Sequence, residues 1–206
     1  MSIQVNPIWG QDFDVGYVGF MNKPGNILSK GITWFENLEE SMKYGEDLLD
    51  GGVSHVFIVW DRDFGIESSD KGVQFFWLKD YIKKPNVRLV FREPEKIDQN
   101  YLHQLLNKAW SMEETPYDYT GLLGYVVKVF SPLHHIIPGL NKLPVPLHLV
   151  GGFCSAFVSE CEKSTDFYKD IELFQNYHVT RISPNMLWNR FPWKPLRFDK
   201  EREVMK

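Results

Sequence analysis

Cysteine is scarce in this chain: two in 206 residues, Cys154 and Cys161. That is too few for a disulfide framework. The pair lies seven positions apart on one expected helix, about 10 Å along its axis, beyond disulfide reach. Both are expected as free thiols in a reducing compartment. No apolar run reaches the roughly 18 residues that a spanning helix requires. Basic residues are not in excess either. The 23 Lys and Arg face 27 Asp and Glu, a net charge of −4, which excludes the basic footprint of a nucleic-acid binder. Residues 1–7 lack a basic start followed by an apolar stretch, so no secretory signal is read and a cytoplasmic location is expected.

Several chemical signatures are missing as well. No Gly-x-x-x-x-Gly-Lys loop occurs, and no Gly-x-Gly-x-x-Gly follows a strand, so no nucleotide site is expected. The Gly-x-Ser-x-Gly elbow of common serine hydrolases is absent. There is no Cys-x-x-Cys, and the six histidines form no His-x-x-x-His pair on a helix. No metal and no cofactor are expected. Internal repeats and low-complexity tracts are also lacking.

What remains is a composition of 43% apolar and 15% aromatic residues, that of a globular chain with a real core. The length suits one domain over 1–206, with its core at about 12–192 and a charged tail at 194–206. Alternation and turn residues predict strands over 14–20, 53–60, 64–68, 73–78 and 86–92. Their short connections favour antiparallel hairpins. Helical periodicity is read over 27–49, 96–112 and 116–129, the second with Leu102, Leu105, Leu106 and Ala109 as its apolar stripe. Residues 131–149 form a proline-rich, apolar connection. A further helix runs from the Gly151-Gly152 turn to about Lys163, and Ser183-Pro184 opens a short capped helix. The class expected is α+β, about five antiparallel strands packed on the cysteine-bearing helix.

Two segments carry the chemistry. Gly51-Gly52-Val53-Ser54-His55-Val56-Phe57-Ile58-Val59-Trp60 reads as a buried strand with one histidine. Gly151-Gly152-Phe153-Cys154-Ser155-Ala156-Phe157-Val158 reads as a glycine turn opening into a helix with cysteine in its first turn. There the free N–H groups and the helix dipole favour a thiolate and can hold an oxyanion. A thiol nucleophile needs a base, which His55 supplies from a rigid strand. Glu67, on the next strand, can orient the imidazole as the third member of a triad does. Cys161, on the buried face with Phe157 and Val158, reads as a core residue.

These segments, with Gly65-Ile66-Glu67-Ser68, Gly72-Val73 and Pro116-Tyr117-Asp118-Tyr119, resemble the circularly permuted papain-like hydrolases of the NlpC-type superfamily. The YiiX/YaeF-like group, related to lecithin–retinol acyltransferase, is closest in pattern. Papain-like enzymes usually run cysteine first; the permuted branch runs histidine first, as here. The resemblance spans about residues 14–188, although its strong motifs cover only some 30 positions. It implies Cys154 as nucleophile, His55 as base and Glu67 as orienting group. It also implies substrate contacts from Asp14, Ser54, Tyr117, Gly152, Phe153 and Ser155. Two departures touch those contacts: Phe13-Asp14 stands where Gly-Asp is usual, and Ala156 where Glu is frequent.

The activity implied is hydrolysis of an amide or peptide bond through a thioester. The alternatives are an acyltransferase or lipid hydrolase on acyl esters or amides, and an inactive binding relative. An acyl or membrane-surface contact would fall on residues 131–149. A His55 out of reach of Cys154 would mark the inactive relative.

Overall fold

The computed structural model describes residues 13–22, 40–41, 49, 52–84, 87–115 and 154–196. Most of the expected helix over 27–49, the helix over 116–129, the connection 131–149 and the tail from 197 lie outside the described residues. So do Tyr117, Gly152 and Phe153.

The fold is α+β. Five strands, β1 (Val18–Asn22), β2 (His55–Val59), β3 (Phe64–Ser69), β4 (Gly72–Trp77) and β5 (Arg88–Arg92), form one sheet in the order β4-β3-β2-β1-β5. Every neighbouring pair is antiparallel. Asp61 closes the β2–β3 turn by accepting the amides of Asp63 (2.8 Å) and Phe64 (2.7 Å) on its carboxylate. Gly72, at φ 93°, supplies the left-handed backbone that closes the β3–β4 turn.

The first strand starts later than alternation predicts. Residues 14–17 turn instead: Asp14 Oδ1 accepts from Val15 N, and Tyr17 N donates to Asp14 O at 3.1 Å. The expected strand over 73–78 stops at Trp77, and α1 (Leu78–Ile82) follows directly. The remaining elements are α2 (Gln99–Ser111), α3 (Cys154–Lys163), α4 (Glu172–Asn176), a 3₁₀ turn (Val179–Arg181) and α5 (Pro184–Arg190). Three of these have side-chain caps, the 3₁₀ turn through His178, which accepts from Thr180 N. Asp98 accepts from Tyr101 N ahead of α2, and Ser183 accepts from Met186 N ahead of α5, with Pro184 in the first turn.

Strand alternation sends side chains to two faces, and each face has its own core. Val18, Phe20, Val56, Ile58 and Ile66 pack with Leu105 of α2, with Cys154, Phe157, Val158 and Cys161 of α3, and with Leu187 and Trp188 of α5. Each fully buried aliphatic or aromatic side chain there contributes about 1.5–3 kcal/mol. Met21, Phe57, Val59, Leu89 and Phe91 face the other way, where Leu78 and Tyr81 of α1 and the flanking Phe13 cover them. Two glycines make room on this second face. A Cβ at Gly19 would stand 2.2 Å from the ring of Phe57 directly across the ladder, and one at Gly65 would stand 2.5 Å from that of Phe76.

Candidate active site

His55 is the first residue of β2, and its entry is fixed by polar ties. Ser54 donates both its amide (2.9 Å) and its hydroxyl (3.3 Å) to Met21 O. Val53 N donates to Asn185 Oδ1 at 3.1 Å, while Asn185 Nδ2 donates to Glu40 O at 3.1 Å. Asn185 is wholly buried in α5, so the strand that delivers the histidine is pinned from the helical layer.

By alternation with Phe57 and Val59, His55 belongs to the second face of the sheet. Glu67 belongs there too, directly across from Gln74 and two residues from Gly65. Its carboxylate is 2% exposed and meets His55 Nε2 at 2.7 Å through Oε2. Cys154 comes from the other side, at the first position of the helix that covers the first face. At the start of β2 its thiol comes close enough to the His55 ring to act on it through charge and hydrogen bonding.

The electrostatics follow from this placement. Burial alone would lower the basicity of His55. The charge and hydrogen bond of Cys154, and then those of Glu67, more than reverse that, raising His55 from 6.5 to about 10. For Glu67 burial pushes upward, but His55, Tyr81 and Gln74 outweigh it and hold the carboxyl below its usual range. An imidazole in this setting holds a proton firmly between the Cys154 sulfur and the Glu67 carboxylate, and a base within reach of a thiol is what nucleophilic thiol chemistry requires.

Two further side chains surround Glu67 that the sequence reading passed over. Tyr81 donates its hydroxyl to Oε2 (2.9 Å) and lies 3.2 Å from Oε1, and Gln74 Nε2 approaches Oε1 at 3.5 Å. Gln74 could have been found: the Ser69–Gly72 pairing of the expected turn puts position 74 opposite position 67. Tyr81 gave no such signal, because α1 was not anticipated.

The remaining expected contacts are less concentrated. Asp14 sits at the opposite end of β2 from His55, where Gly16 N donates to Val59 O, and it lines a small cavity of about 80 Å³ with Phe13, Val15, Asp61 and Arg62. It does not join the cluster of His55, Glu67 and Cys154. Ser155 follows Cys154 but is fully buried, its hydroxyl without a partner among the described residues. The Ser54 hydroxyl is turned to the backbone. Cys161 is fully buried and its thiol is pushed well up by that burial, as suits a core residue. Among the described residues no group of three or more His, Cys, Asp or Glu is placed to hold a metal ion, and no helix is long and apolar enough to cross a membrane. No family model matches the chain, and no curated protein matches it.

Proposed function

We propose that the protein is a cysteine hydrolase of the permuted papain-like kind, cleaving an amide or peptide bond through a Cys154 thioester. The observation that carries this reading is the His55 ring held between the Cys154 thiol and the Glu67 carboxylate. The histidine-before-cysteine order and the antiparallel sheet packed on the cysteine helix also support it.

In the reaction proposed, His55 takes the thiol proton and the Cys154 thiolate attacks the carbonyl carbon. The oxyanion is met by backbone N–H groups of the first turn of α3, which have no partner within the helix. Collapse of the tetrahedral intermediate breaks the C–N bond, and His55 returns its proton to the departing amine. Water then attacks the thioester with His55 as base, releasing the acid and restoring the thiol. Glu67 keeps the ring in one tautomer and orientation and stabilises the imidazolium, without itself being protonated.

The test is mass spectrometry of the intact protein after incubation with a panel of peptide amides and acyl esters, with iodoacetamide labelling alongside. Acyl and carbamidomethyl adducts are expected on Cys154 in the wild type and in Cys161→Ala, and on neither cysteine in Cys154→Ala. Labelling that persists in Cys154→Ala and disappears in Cys161→Ala would overturn the assignment. The ester and amide arms separate acyl transfer from peptide cleavage.

A further inference from the structure

We propose that Tyr81, seconded by Gln74, is a positioning residue that locks the Glu67 carboxylate onto the His55 ring. The role rests on reading Cys154, His55 and Glu67 as one triad, and it adds a fixed support behind that triad's last member.

Glu67 is almost without solvent, so water cannot orient its carboxylate. A carboxylate free to turn about its terminal bond would leave His55 unpaired for part of the time. Here the rotation is blocked from two sides. Tyr81 contacts both oxygens and shares Oε2 with His55 Nε2, which puts two donors on the one atom that faces the imidazole. Gln74 closes on Oε1 from the neighbouring strand and is itself tied to Ser69 Oγ at 2.9 Å.

The Tyr81 ring is in turn held by its neighbours. Its centroid lies 4.7 Å from that of Phe76 and 6.0 Å from that of Phe57, and Lys84 Nζ stands 5.0 Å over its face. Burial and the charge of Glu67 keep the phenol protonated far above the usual tyrosine range, so it stays a donor wherever the triad works. The ionisable groups facing this cluster are His55 from β2, Cys154 from α3, Asp70 from the β3–β4 turn and Lys84 after α1. Gln74 is the uncharged member, from β4.

Removing the hydroxyl has two opposed effects, and they separate the ideas. If Tyr81 aims the carboxylate, its loss lets Glu67 drift and the imidazolium loses support, so the midpoint of His55 falls. If Glu67 holds its own aim, losing a competing donor makes the carboxylate a better partner, so the midpoint stays or rises.

The experiment is an NMR titration of 13C-labelled histidines in wild type, Tyr81→Phe and Gln74→Leu, with the His55 resonance assigned by its loss in His55→Gln. A fall of about one pH unit is expected in Tyr81→Phe and about half that in Gln74→Leu, following the shorter contacts of Tyr81. Thermal unfolding checks that each variant is folded, and the two substitutions test the role separately should one not fold. A midpoint that is unchanged or raised in a folded variant overturns the proposal. The titration needs no turnover. An unreactive Cys154 in the wild type would therefore fail the hydrolase reading alone, and an unmoved His55 would fail the positioning role alone.

Discussion

Glu162 offers a stability test at the far end of the helix that presents Cys154. Its side chain is fully buried and accepts the Tyr101 hydroxyl at 3.0 and 3.1 Å. Burial raises its carboxyl from 4.5 to about 8, only partly offset by the Tyr101 hydrogen bond. Its place in the last turn of α3 works in the same direction, since a helix C-terminus repels negative charge.

A carboxyl whose folded value lies above its unfolded one favours the fold fully below about pH 4.5. That advantage is lost as pH climbs through about 8. At 1.36 kcal/mol per pH unit the complete loss is on the order of 5 kcal/mol, approached at a slope of about 1.4 kcal/mol per unit in between. Glu162→Gln keeps an acceptor for Tyr101 and removes the titration. Urea unfolding of both proteins at half-unit steps from pH 4.5 to 9 measures the difference. The two are expected to be close at the acid end, with the variant gaining steadily to become the more stable by a few kcal/mol at pH 9. Parallel profiles would refute the reasoning, because they would mean that Glu162 ionises in the folded protein as easily as in the unfolded chain.

Glu67→Gln removes the carboxylate charge beside His55. The His55 midpoint is expected to drop from about 10 by about 1–3 units, as read by NMR titration. The stability that His55 contributes is fully present below its unfolded value near 6.5 and is lost through about 10 in the wild type; in the variant that loss should begin at correspondingly lower pH. Asn185→Ala strips the buried hydrogen bonds to Val53 N and Glu40 O and leaves the Val53 amide unsatisfied. Chemical denaturation should show a loss of about 2–4 kcal/mol, with slower Cys154 alkylation as the entry to β2 loosens. Gly19→Ala drives a methyl into the Phe57 ring and should destabilise by about 1–3 kcal/mol, whereas the same change at an exposed position would not.

The parts of this fold that could be read from the chain are those marked by local chemistry. The hairpins from β2 to β4 follow from the turn residues around Asp61 and Gly72, α2 from its helical periodicity, and α5 from the Ser183 cap. The elements passed over, α1 and α4, are five residues each and begin at Trp77 and Ile171 without a side-chain cap. Neither is long enough for periodicity to appear. On α2 the expected stripe faces the core, with Leu105 and Ala109 buried and Leu102 and Leu106 partly buried against it, and Tyr101, which the stripe left out, is buried beside them, donating to Glu162. In the site, Glu67 was legible because it follows His55 across one tight turn. Tyr81 was not, because its role depends on a helix folding back under the sheet.

Cys154 and His55 come from opposite faces of one sheet and meet where β2 begins. A chain that has assembled one core but not the other carries the two groups apart. On the function proposed above, pairing the thiol with its base therefore needs both layers closed, and any local opening that lifts α3 from the sheet separates the pair while the rest of the structure stands.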